Sequence, residues 1–194
     1  MLYHHPVYKE DGRMDGESCV KQAYAFILNN DFEQAIEWFE RAIAIEPDNA
    51  GYHYKCAISC ARSGKWNKAH RFAKQAVELD ASHTEYQYYL QTIEAKQLVL
   101  SAEQLIQSNP PQYEEALDML NEAAELDPLS FEAFYFMAFV HAELGNLDTA
   151  VNNAREAIRI DPGHSAARRL FADIRRKRRM MRDRAKERHR KRNR

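Results

Sequence analysis

The sequence predicts an all-α protein: a solenoid of about four helix pairs with an elongated middle helix and a C-terminal capping helix. Three observations carry that prediction. The first is spacing. In DFEQAIEWFERAIAIEPDN, residues 31–49, Phe32, Ala35, Phe39 and Ala42 share one face of a helix, with Glu33, Glu37, Glu40 and Arg41 outside it. The second is recurrence. The same face returns in Trp66, Ala69, Ala73 and Ala76, in Tyr113, Ala116, Leu120 and Ala123, and in Leu147, Ala150, Ala154 and Ala157. The third is punctuation: the six glycines and six prolines fall nearly all in predicted turns or the leader, which argues against a sheet.

The recurrence has a period. Ala35 to Ala69 is 34 residues, and Ala116 to Ala150 is 34 again. With the alanines, the opening aromatics Phe32, Trp66 and Tyr113, and the endings EPDN, LDPLS and IDPGH, the chain resembles the tetratricopeptide-repeat family over roughly residues 16–164. The resemblance implies a right-handed superhelix whose inner surface, lined by the first helix of each pair, commonly binds an extended or helical peptide. Two departures leave the ligand open. The second copy ends LDASH, with Ala81 in place of proline, and the first helices lack the family's Trp and Leu-Gly pair, carrying Cys19, Gln22 and Ala23 in the first copy and Phe134, Met137 and Ala138 in the fourth.

Taken in order, residues 1–15 read as a flexible leader with no helical period. Repeats follow at about 16–49, 50–83, 84–130 and 131–164. The first pair, 17–29 and 32–45, turns at Asn29-Asn30-Asp31, residues that tolerate left-handed backbone; the second, 50–63 and 66–79, turns at Ser63-Gly64-Lys65, where glycine reaches positive φ without strain. The register then breaks, because Ala69 to Ala116 is 47 residues, a 13-residue insertion. No Gly or Pro occurs from Thr84 to Asn109, so one uninterrupted helix over 84–108 is expected before Asn109-Pro110-Pro111 stops it. Its first half would cap the second pair and its second half would pair with 112–125. The last pair, 131–144 and 147–160, turns at Gly145-Asn146. A capping helix over 165–182 would bury Leu170, Phe171, Ile174 and Met181, and the basic tail 183–194 would fray into solvent.

Charge is distributed unevenly. The formal net charge of −1 combines +12 over 165–194, from 15 Lys and Arg against 3 Asp and Glu, with −13 over the rest. The three cysteines, with no export signal in the sequence, read as core side chains, and Cys56 and Cys60 alone cannot close a zinc site. No stretch reaches the roughly 18 apolar residues of a membrane span. A cytoplasmic protein is expected. Phosphate loops, HExxH, nucleophile elbows and CxxC pairs are lacking, so no catalytic residue, metal site or cofactor is assigned. His141, between Met137 and Leu144 on an apolar face, reads as a packed histidine.

Alignment on the alanines makes the groove candidates Lys21, Tyr24 and Leu28, then Tyr54, Lys55 and Arg62, then Tyr88, then Tyr135 and Phe139. Tyrosine combines an apolar face with a hydrogen-bonding tip, which suits a surface that binds a protein or peptide partner. The family's clamp for acidic chaperone tails would fall on Val20, Tyr24, Lys55, Glu85 and Tyr89, and four of these five lack the needed charge or amide. The leading expectation is a non-catalytic protein-interaction scaffold. The alternative is a nucleic-acid- or ribosome-associated protein whose tail contacts phosphates, or another anionic surface, through Arg175, Arg176, Lys177, Arg178, Arg179, Arg182, Arg184, Lys186 and Arg188. The opposed charges also allow the tail to fold back on its own body or to bridge to another copy.

Overall fold

The computed structural model describes residues 14–192, so the expected leader lies, except for Met14 and Asp15, outside the described residues. Nine α-helices run through the described residues: α1 (Gly16–Leu28), α2 (Phe32–Ile45), α3 (Ala50–Arg62), α4 (Trp66–Leu79), α5 (Thr84–Gln107), α6 (Tyr113–Leu126), α7 (Phe131–Glu143), α8 (Leu147–Ile160) and α9 (Ser165–Arg192). The all-α class and the tetratricopeptide pairs are as the periodicity predicts. The chain divides into two compact units, one up to Ile93 and one from Glu94.

The first unit packs α1, α2, α3, α4 and the start of α5 around Phe39, Ile36, Cys19, Cys56, Cys60 and Ile93, all at most 2% exposed. Ala35, Ala42, Ala69 and Ala76 are fully buried, so the stripe works by letting neighbouring helices approach closely. Cys19, Cys56 and Cys60 are free and buried, and burial pushes the Cys19 thiol above its ordinary pKa. The second unit has two clusters. Val99, Ala102, Leu120 and Met137 centre the first; Ala150, Val151, Ala154 and Ile174 centre the second.

Three of the four turns inside the pairs share one geometry. Asn30, Gly64 and Gly145 adopt φ of 58°, 71° and 81°. The residue after each donates its backbone N–H five residues back: Asp31 to Phe26, Lys65 to Cys60 and Asn146 to His141, at 3.0, 2.9 and 2.8 Å. This left-handed cap satisfies carbonyls that the helix end leaves open. Pro110-Pro111 replaces it in the third pair, where Gln112 N–H reaches back to Leu105 O at 3.0 Å.

The 24 residues of α5 form one helix, about 36 Å long at 1.5 Å per residue. Ile93 belongs to the core of the first unit, with Tyr89 and Leu90 against it, while Ala95, Val99 and Ala102 belong to the core of the second.

Two expectations about the C-terminus need correction. The helix does not end at Arg182 but continues to Arg192, because no Gly or Pro follows Gly163 and Arg, Lys, Ala and Glu all favour helix. Met181 does not join the capping stripe. It is 59% exposed, whereas Ile174 is buried and Leu170 and Phe171 pack beside it. No helix of the described residues is long and apolar enough to cross a membrane.

Candidate functional site

Seven of the nine groove candidates lie in the first unit, and each is positioned by the pairing of its helix. Tyr24 stands on α1, 46% exposed, with its ring edge on Phe39 of α2 at a centroid distance of 6.0 Å. Leu28, one turn later, is 84% exposed. Lys21 forms an exposed ion pair with Glu17 at 3.0 Å on the same helix. These three side chains face solvent because the packing face of α1 is taken up by Cys19, Val20 and Ala23.

Tyr54 on α3 is held more firmly. Its hydroxyl donates to Glu85 Oε1 at 2.8 Å, and its ring meets Tyr86 at 4.8 Å and Tyr89 edge-on at 5.4 Å. Burial, and then the Glu85 carboxylate that accepts its hydrogen bond, push the Tyr54 phenol well above its ordinary range. Burial likewise pushes Tyr89 up to about 12. Both phenols therefore stay neutral, and Tyr54 acts as a hydrogen-bond donor joining α3 to α5. Tyr88, on the same stretch of α5, is 52% exposed. Lys55 Nζ lies 5.9 Å from the Tyr52 ring centroid and the exposed Arg62 guanidinium 5.6 Å from that of Phe32, so both cations have aromatic neighbours.

Val20 and Glu85 are two of the positions that the family resemblance aligns with a charged clamp. Val20 is buried in the core at 7% exposure, and Glu85 accepts the Tyr54 hydroxyl. Neither offers a charge or amide donor to a peptide carboxylate.

Tyr135 and Phe139 belong to the second unit. Both are half-buried on α7, and Tyr135 stacks on Phe131 at 5.8 Å, meets Phe136 at 5.5 Å and lies 6.0 Å from the His164 ring. Phe131 and His164 also touch, at 4.4 Å. The sequence reading missed these two. His164 sits in a turn, where an alignment of helix faces does not look, and it also caps α9, its Nδ1 accepting from Ala167 N at 3.3 Å. Nearby, Lys96 Nζ bonds Glu132 Oε1 at 2.8 Å; burial raises the Glu132 carboxyl, but the lysine outweighs it and the net shift is downward.

The tail candidates differ in what they meet. Arg178 and Arg182 both reach Asp148 Oδ1 on α8, at 2.9 and 3.5 Å, and Lys177 reaches Glu143 on α7 at 3.6 Å. Arg175 lies over the Phe171 ring, Arg176 pairs with Asp173, and Arg179 is 3.9 Å from Asp183, all within α9. Arg184 and Lys186 are exposed, and the side chain of Arg188 lies outside the described residues. Arg175, Arg178, Arg179, Arg182 and Lys186 line one open trough of about 580 Å³ along the helix.

His141 is half-buried on α7, and burial alone pulls its pKa below the ordinary value. No group of three or more potential metal ligands is found among the described residues.

A family model described as the Cilia and flagella-associated protein 70 middle TPR-like domain matches residues 17–160. The chain is similar to the TPR repeat-containing protein YpiA of Bacillus subtilis, 27% identical over 143 residues, covering 73% of this chain and 30% of that protein. It is also similar to DnaJ homolog subfamily C member 7 of Mus musculus, 32% identical over 73 residues, covering 38% of this chain and 15% of that protein. The chain thus spans less than a third of the length of either relative. Among solved structures, MamA 41-end from Desulfovibrio magneticus RS-1 matches with a TM-score of 0.50 and 15% identity over 82% of each chain, a likeness of fold.

Proposed function

The chain belongs to the Cilia and flagella-associated protein 70 middle TPR-like domain family, and we propose that it is a non-catalytic scaffold that holds a protein segment against the open faces of its first helices. The observation that carries this reading is in the first unit: Tyr24, Leu28 and Tyr88 are 46%, 84% and 52% exposed on helices whose other faces are packed. Broad apolar side chains kept in water at that cost are the usual anchors of a protein interface. Lys55 and Arg62 add positive charge on α3, while Lys21 is already paired with Glu17, and the two α3 cations favour a segment that carries acidic residues beside its apolar ones. Tyr54, fixed by Glu85, supplies a rigid wall. A cytoplasmic setting fits this role.

Selection of binders from a random peptide library on the full chain tests the reading. A Tyr24→Ala, Tyr88→Ala variant with unchanged helical circular dichroism should bind the selected peptide at least about tenfold more weakly. Unchanged affinity would place recognition elsewhere. The nucleic-acid reading finds less support, because Lys177, Arg178 and Arg182 already meet carboxylates of the repeats.

A further inference from the structure

In the second unit, residues 94–164 hold 13 Asp and Glu against only three basic residues, Lys96, Arg155 and Arg159. All three basic residues are engaged away from α6: Lys96 with Glu132 at 2.8 Å, Arg159 with Glu156 at 2.7 Å and Arg155 with Asn152 at 3.4 Å. On α6, Glu114, Asp118, Glu122 and Glu125 are exposed, and none has an ion-pair partner among the described residues. Like charges at this spacing repel.

The opposite surface is on α9. Arg175, Arg179, Arg182 and Lys186 are all exposed, and of these four only Arg182 reaches a carboxylate outside its own helix among the described residues. Their repulsion has the same physical origin as that on α6. The two stripes also match in dimension. Each spans 12 residues, about 16–17 Å of helix axis between its end residues, with charges every three or four residues inside an arc of roughly 80°. α9 packs on α7 and α8, and its exposed end runs on past the Asp148 contact.

From this complementarity we propose that α9 of one copy lies along α6 of a second copy, so that the chain self-associates head to tail through a charge-matched pair of helices. The pair then keeps one unfilled stripe of each sign, and such a heterologous contact extends until a ring closes or a filament grows. Basic side chains of α9 already meet carboxylates of neighbouring helices within the chain, Arg178 and Arg182 at Asp148 of α8 and Lys177 at Glu143 of α7, so the same chemistry suits a carboxylate-bearing helix of a partner. This inference goes beyond the groove reading and does not depend on it.

Sedimentation of the full, nuclease-treated chain tests it. At low salt the sedimentation coefficient should rise with protein concentration, and the association constant should fall by at least about tenfold in half-molar salt, where screening is much shorter-ranged. Two charge-reversed variants sharpen the test: Arg175→Glu, Arg179→Glu, Lys186→Glu on α9, and Glu114→Lys, Asp118→Lys, Glu122→Lys on α6. Each alone should be monomeric, and their mixture should associate again. If either variant fails to fold, glutamine replacements at the same positions take its place and should weaken association. A wild-type chain that stays monomeric at low salt overturns the proposal. So does association that survives either set of substitutions, that folded charge-reversed partners fail to restore, or that disappears with nuclease alone.

Discussion

Phe39 and Tyr24 meet in a T-shaped contact at a centroid distance of 6.0 Å, yet one is fully buried on α2 and the other is 46% exposed on α1. The contrast extends along the pairs. The second helices α2, α4, α6 and α8 repeat one solution, with alanines at 0–1% exposure spaced so that a neighbour can approach closely. The first helices α1, α3 and α7 each solve a different problem: exposed Tyr24 and Leu28, a tyrosine tied to Glu85, an aromatic group around Tyr135. The regular stripe sets the fold, and the irregular faces are where one repeat can differ from another without loss of the core.

The comparison breaks most visibly by truncation at the contact itself. Phe39→Ala should cost about 3–5 kcal/mol in chemical denaturation, whereas Tyr24→Ala should cost only about 1 kcal/mol, the worth of an edge contact. Equal losses would show that the first-helix face is core as well. Overpacking the stripe comes next. Ala154→Leu, at a site 1% exposed, should destabilise by about 1–3 kcal/mol and lower the melting temperature. A leucine there that leaves melting unchanged would mean the helices of the last pair have room to part.

The turns give a smaller, purely conformational effect. A β-carbon at Gly64 would meet nothing within 4 Å, so Gly64→Ala should cost about 1–2 kcal/mol through its φ of 71° alone. Asn30, at the equivalent turn with φ 58°, should tolerate glycine with little change. The smallest effect is a dependence on pH. Burial depresses the His141 pKa in the folded chain, so below the ordinary value of about 6.5 the unfolded chain binds more protons there and stability falls as pH falls. His141→Gln should flatten that part of the denaturation midpoint against pH, between about 6.5 and the lowered folded value. An unchanged slope would assign it to the other histidines.

Much of this was legible in order of residues. A period of 34, alanine at fixed offsets and glycine or asparagine at the turns specify helix pairs, because each feature acts within one helix or one turn. The length of α5 followed from the lack of any breaker between Thr84 and Asn109. Reading α9 as two parts was less successful. The loss of an apolar face after Arg182 suggested fraying, but intrinsic helix preference continues the helix to Arg192. The candidate residues were legible as surface positions and not as partners. Nothing in sequence order relates Tyr54 to Glu85, 31 residues away, or Arg178 to Asp148, 30 residues away.

What the sequence by itself determined is local and periodic: the helices, their buried stripe, their turns, and the separation of an acidic body from a basic C-terminal helix. Each depends on side-chain spacing of a few residues, and spacing survives in a linear text. The tertiary structure alone decided which half-buried groups meet. It gave Tyr54 a carboxylate, set His164 against Phe131, joined two arginines of α9 to one aspartate of α8, and left the carboxylates of α6 without a cation among the described residues. Those outcomes depend on distances between helices, which are set by how deeply the alanine faces interlock and which no single segment encodes.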